Sequence, residues 1–162
     1  MSIPYLACML TVSTAFGLPP RVLPAIQAVE GGKPGMESVN KNDSKDLGVM
    51  QINTLWVPVF SAKIGMKPEE IYKNLVEKPC FNIAIAGAIM KIYIDEAKGD
   101  IIKAIGYYHS HTPALSAQYQ LRVARAAARL FAAIAPASSP SPSPSPSPSP
   151  SPSSSPAMVA AR

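Results

Sequence analysis

The chain reads as a mainly α-helical single domain over residues 1–135 with a disordered Ser/Pro-rich tail over 136–162, and three observations carry that reading. Apolar residues recur at helical spacing through most of the body, the last long segment is rich in Ala and Arg, and from Pro136 to Pro156 the sequence is almost pure Ser-Pro alternation. Such a tail brings no apolar surface to a core and favours extended polyproline II geometry, with a reach on the order of 60 Å. The body is long enough to bury about two thirds of the surface its unfolded chain exposes, which supports one core.

In chain order, the small apolar residues from Tyr5 to Phe16 form a short buried helix that ends at Gly17. Pro19-Pro20 opens a second helix reaching Glu30, because proline suits a first turn where its missing N–H has no partner. Val22, Ile26 and Val29 share one face of it, and Gly31-Gly32 stops it. Residues 33–46 are polar and predict a loop or small hairpin. The stretch from Asp46 to Ile64, with the single tryptophan Trp56, predicts helix interrupted near Pro58. Pro68-Glu69-Glu70 starts another short helix with acids in its first turn. Cys80 to Lys98 lacks proline and places Ile83, Ala86, Gly87, Met90 and Ile94 at helical spacing, as a central core helix does. Ile101–Tyr108 and Pro113–Phe131 complete the helices.

Charged residues are only 15% of the chain, and no uninterrupted apolar run approaches the roughly 20 residues that span a bilayer. The net charge of +5 favours an anionic partner, yet the basic residues, Arg122, Arg125 and Arg129 among them, carry no recognition motif for nucleic acid. The start, Met1-Ser2-Ile3-Pro4-Tyr5, lacks the basic and long apolar regions of a secretory leader. Cys8 and Cys80 stand in no metal-ligand spacing, and composition leaves them either paired or as two buried thiols. His109 and His111 are the only histidines, too few ligands for a metal, and no cofactor is expected.

Glu30 is singled out by position, at the end of an apolar helix and directly before Gly-Gly and a polar loop. Three further segments follow it in order: Ser44-Lys45-Asp46-Leu47-Gly48-Val49-Met50-Gln51-Ile52-Asn53, Asn82-Ile83-Ala84-Ile85-Ala86-Gly87, and Ala104-Ile105-Gly106-Tyr107-Tyr108-His109-Ser110. With Leu23–Gly32 they resemble the ordered motif set of the lytic transglycosylases and goose-type lysozymes: a catalytic helix ending in Glu, a Gly-Leu-Met-Gln segment with a preceding serine, a core helix, and an Ala-Tyr-Asn-x-Gly signature. The resemblance runs from about Cys8 to Val123, and its flavour is that of the small members associated with conjugation and type IV secretion. His109 departs from it, standing where the signature has Asn, and Gly31 stands where many relatives have Ser.

The resemblance implies a lysozyme-like fold, a Cys8–Cys80 disulfide and so a periplasmic setting. It implies a peptidoglycan glycan strand as substrate, with components of an envelope-spanning machine as further partners. Glu30 becomes the catalytic acid and base, and Ser44, Met50, Gln51, Asn53, Tyr108 and His109 the substrate-binding set, with Ser44 orienting the acid and Tyr108 beside it. Most glycosidases use two carboxylates. A lytic transglycosylase manages with one, because the C6 hydroxyl of N-acetylmuramic acid attacks its own anomeric carbon and yields a 1,6-anhydro sugar. Glu30 must then start protonated, which an apolar surround achieves by raising its pKa; Val29, Met50 and Tyr108 are the candidates for that surround. Two alternatives stand beside this reading: a hydrolytic muramidase using Asp46 or Asp43 as base, and a wall-binding scaffold without catalysis.

Overall fold

The computed structural model describes residues 2–132; the Ser-Pro tail lies outside them. Seven helices and one small sheet make up the described residues: α1 Leu6–Phe16, α2 Val22–Glu30, β1 Glu37–Val39, β2 Lys45–Leu47, β3 Ile52–Asn53, α3 Trp56–Ile64, α4 Pro68–Glu77, α5 Pro79–Glu96, α6 Ile101–His109 and α7 Pro113–Phe131.

Helix α5 is the centre of the packing. Its N-terminal half is buried nearly all round, at Asn82, Ile83, Ile85, Ala86, Gly87, Ile89 and Met90, as expected of a helix enclosed by others rather than laid on a surface. Helices α1, α4 and α6 lie against it. Gly87 lets α1 come close, since a Cβ there would sit 2.2 Å from Val12 Cγ1. The Cys8–Cys80 disulfide joins the same two helices, with the Cα atoms 5.5 Å apart. The long α7 packs on α2 and α6, presenting Ser116, Tyr119, Val123 and Ala126 at three- and four-residue spacing as its buried stripe.

The segment after Asp46 departs from the helix predicted for it. Residues 45–53 instead hold two strands; β2 pairs antiparallel with β1 on one side and with β3 on the other, Leu47 lying opposite both Glu37 and Ile52. Between them the chain turns through Gly48 and Gln51, both at positive φ. Gly48 is the residue that permits it: besides its φ of +66°, a Cβ would lie 2.2 Å from the Leu75 carbonyl oxygen. Leu47, Val49, Met50 and Ile52 are all buried, so the apolar run reflects a tight, enclosed turn rather than a helical face. Helix α3 then runs through Pro58 without interruption. Pro58 is its third residue, within the first turn, where a backbone N–H has no intrahelical partner to lose. Pro24 occupies the same position in α2.

Asn82 fixes this turn to the core helix. Its side chain is fully buried, donates to the carbonyls of Leu47 and Leu75 at 2.8 Å each, and accepts from the Met50 N–H at 2.9 Å. The outer edge of the hairpin is tied to α4 by Glu37, which accepts from Tyr72 Oη at 2.6 Å and from Lys45 Nζ at 3.0 Å. No helix among the described residues is long and apolar enough to cross a membrane.

Candidate active site

The sheet, α5 and α6 enclose a cleft of about 410 Å³ with Glu30 in its wall. Glu30 is the last residue of α2; Gly31, at φ +64°, closes the helix by donating its N–H to Gln27 at 2.9 Å and turns the chain away. The carboxyl is half-buried. Desolvation raises its pKa above the ordinary glutamate value, and the negative charge of Asp46 adds to the rise. A hydrogen bond from Tyr119 and the charge of Arg122 act in the opposite direction without cancelling it.

Tyr119, from α7, is the partner that sequence reasoning missed. Its Oη donates to Glu30 Oε1 at 2.5 Å, and His109 stacks on its ring with centroids 5.0 Å apart and planes within 7°. Burial and, after it, the charge of Glu30 push the Tyr119 phenol well above the ordinary tyrosine range, which favours its role as an O–H donor. The signal available in sequence was its place in the stripe Ser116-Tyr119-Val123-Ala126, which marks a phenol buried in an otherwise Ala- and Arg-rich helix.

Ser44, Gln51, Asn53, Tyr108 and His109 all line the cleft with Glu30. Tyr108 lies beside the acid but hydrogen bonds elsewhere, donating to the Met50 carbonyl at 3.0 Å. Ser44 does not orient Glu30: its hydroxyl donates to Asn42 Oδ1 at 2.7 Å and accepts from Asn53 Nδ2 at 3.0 Å, so it positions Asn53. Asn53 also donates to Asp46 Oδ1 at 2.8 Å. Gln51 accepts from Ser38 Oγ at 2.7 Å and donates to the Gly48 carbonyl at 2.9 Å, which holds its amide flat along the turn. Met50, expected in the substrate-binding set, does not line the cleft: it is 0% exposed and its side chain belongs to the core, so it offers a glycan no surface. Its contribution is its backbone, which ties Asn82 to Tyr108. Asp43 does not line the cleft, whereas Asp46 does.

The arrangement is that of a single poised acid. The Glu30 carboxyl is partly out of water and bonded to Tyr119, with its proton affinity raised and the amides of Asn40, Asn42, Gln51 and Asn53 lining the same cleft. Residues 7–130 match the transglycosylase SLT domain family. The chain belongs to this family. Its fold is accordingly lysozyme-like, and peptidoglycan is the substrate class of such SLT domains. Among individual proteins, this SLT domain is similar to the Invasion protein IagB of Salmonella typhimurium, 30% identical over 123 residues that cover 73% of this chain and 71% of the relative. The Invasion protein IagB of Salmonella typhi matches to the same extent. A Peptidoglycan-binding-like protein of Escherichia coli O157:H7 is 32% identical over 97 residues, 56% of each chain.

Proposed function

We propose that this chain cleaves the N-acetylmuramic acid to N-acetylglucosamine linkage of peptidoglycan with formation of a 1,6-anhydro product, Glu30 serving first as acid and then as base. The observation that carries the reading is the half-buried Glu30 carboxyl with its raised pKa, held by Tyr119 in the wall of a polar cleft. A carboxyl that is protonated when the glycan arrives can give its proton to the leaving oxygen. The anion left behind then takes the proton of the C6 hydroxyl as that oxygen closes on the anomeric carbon. Intramolecular attack needs no captured water and gains from the pre-set proximity of the reacting atoms. The phenol of Tyr119 stays bonded to Oε1 throughout and stabilises the transient anion.

The periplasm is the compartment that fits this substrate and the Cys8–Cys80 disulfide. Local opening of the wall for an envelope-spanning secretion or conjugation apparatus is the role we assign. The likeness to proteins named for invasion supports it.

A hydrolytic outcome is favoured by one observation, that Asp46 lines the same cleft and its charge reaches Glu30. A carboxylate so placed could activate water in place of the C6 hydroxyl. Mass spectrometry of soluble products from purified sacculi decides between them, because the anhydro product is lighter by one water. The expected result is 1,6-anhydro-muropeptides from the wild type and a loss of about 10³-fold in Glu30→Gln. Reducing-end products would move the assignment to a muramidase, and folded wild type that releases nothing would leave a wall-binding scaffold.

A further inference from the structure

The lining of the cleft divides by element. The sheet and its connecting loops supply amides, hydroxyls and Asp46, whereas α3, α5, α6 and the α6–α7 connection supply rings. Four of these rings form one contiguous wall. Tyr93 of α5 is its hub, with its ring edge-on to Trp56 at 5.9 Å, to Tyr107 at 6.1 Å and to His111 at 5.5 Å between centroids. Tyr107 and His111 stack on each other at 4.1 Å and 18°. The His111 ring is held at that angle by Glu96, whose Oε1 lies 2.9 Å from His111 Nε2, although the imidazole side chain is 51% exposed. The hydrogen bonds and the ring stack that hold Glu30, Tyr108, Tyr119 and His109 in place involve none of these four rings.

A partly exposed aromatic wall with a fixed tilt, sharing one cleft with a set of amides, is a good receptor for a flat ring that is apolar on its faces and polar at its rim. Hexopyranoses have that character, with axial C–H groups on the faces and hydroxyl and acetamido groups at the edge. In the Ala-Tyr-Asn-x-Gly signature the positions of Tyr107 and His111 are Ala and Gly, so the stacked pair adds two rings where that signature offers almost no side chain.

We propose that Trp56, Tyr93, Tyr107 and His111 form a stacking subsite for an N-acetylhexosamine ring of the glycan, distinct from the residues around Glu30. The inference rests on the glycan-cleaving reading of the cleft and deepens it. The subsite positions a sugar removed from the acid, and so governs how firmly the strand is held rather than how fast the bond breaks.

Trp56 is the single tryptophan of the chain, so its emission reports on this wall directly. The experiment titrates Glu30→Gln, which binds without turnover, with the soluble tetramer of N-acetylglucosamine while Trp56 fluorescence is followed. The same titration is made with His111→Ala, Tyr107→Leu and Tyr107→Phe added, and thermal melts establish that each variant is folded. Saturable binding is expected, weakened about five- to tenfold by His111→Ala and by Tyr107→Leu and retained by Tyr107→Phe, which keeps the ring. His111 is exposed enough that its truncation leaves the fold intact. Equal affinity in His111→Ala and the parent, or no saturable change in the parent, overturns the subsite. Product analysis of wild type on sacculi runs in parallel and separates the two readings. Products together with ring-independent affinity remove the subsite and leave the reaction standing. Ring-dependent affinity without products removes the reaction and leaves the subsite.

Discussion

Tyr119 and Glu30 stand 89 positions apart in the chain, and the phenol of the first donates a 2.5 Å hydrogen bond to Oε1 of the second. That bond lowers the Glu30 pKa against the larger effect of desolvation. In Tyr119→Phe the opposing influence is gone, so the pKa climbs further and the protonated acid persists to higher pH. The descending basic limb of the pH–kcat profile on sacculi is therefore expected to move upward. At the same time kcat at its optimum falls about tenfold, because a carboxyl without its donor is less well aimed. An unchanged profile would show that Tyr119 has no hold on the proton of Glu30.

The same burial makes Glu30 a cost to stability at neutral pH. Its folded-state pKa lies above the value of 4.5 for an ordinary glutamate, so between those two pKa values the folded protein binds more protons than the unfolded one. By linkage, stability contributed through this group is fully present below the unfolded pKa and is lost as the pH rises through the folded one. Glu30→Gln, which cannot ionise, is expected to melt higher than wild type at pH 7, with the gap closing toward pH 4. Thermal melts of both proteins across that range measure it, and a constant difference at all pH values would contradict the assignment.

The helices were legible because each carries its own punctuation. Pro79 and Pro113 open α5 and α7, Gly17, Gly31 and Gly65 close α1, α2 and α3, and the apolar spacing between is helical. Of the sheet, the β1–β2 hairpin falls where a loop or small hairpin is predicted, but the turn into β3 was not legible, since Leu47, Val49, Met50 and Ile52 are all buried and an enclosed turn shows no alternation to distinguish it from a helical stretch. Pro58 misled for a related reason: its effect depends on whether it falls in a first turn, and the start of α3 at Trp56 is set by the preceding strand. At the site, the family resemblance points to Glu30, Ser44, Gln51, Asn53, Tyr108 and His109, and all six line one cleft. Tyr119 escapes because its partner lies 89 residues away, a distance over which local pattern carries no information. Met50 escapes in the other direction, since a residue within a recognisable segment can serve it through backbone alone.

The Cys8–Cys80 disulfide spans 72 positions and links α1 to the start of α5, the central helix. Closing a loop of that length removes unfolded-chain entropy worth about 4 kcal/mol in the loop-entropy description. Urea unfolding with and without reductant, or of a Cys8→Ser/Cys80→Ser double variant, is expected to show a loss of that order. A loss below about 1 kcal/mol would mean that the α1–α5 contact through Gly87, Val12 and Phe16 holds the helices together unaided.

Asn82 joins stability to the site. Asn82→Ala removes the side-chain partner of the Met50 N–H and of the carbonyls of Leu47 and Leu75 in the buried core. Unpaired buried groups cost about 1–3 kcal/mol each, partly relieved as the loop relaxes, so a loss of about 3 kcal/mol in urea unfolding is expected. The relaxation is itself informative. Met50 accepts the bond that fixes Tyr108, and Gly48 packs against the Asn82 amide, so a loosened turn shifts one wall of the cleft. Ile71→Ala serves as the comparison, a cut into the same core from α4, away from the cleft, with a cost of about 2–5 kcal/mol. With both variants assayed well below their melting points, Asn82→Ala is expected to lose about tenfold more kcat/KM on sacculi than Ile71→Ala does. Equal activity losses at matched stability would reduce Asn82 to a packing residue and detach the turn from the chemistry.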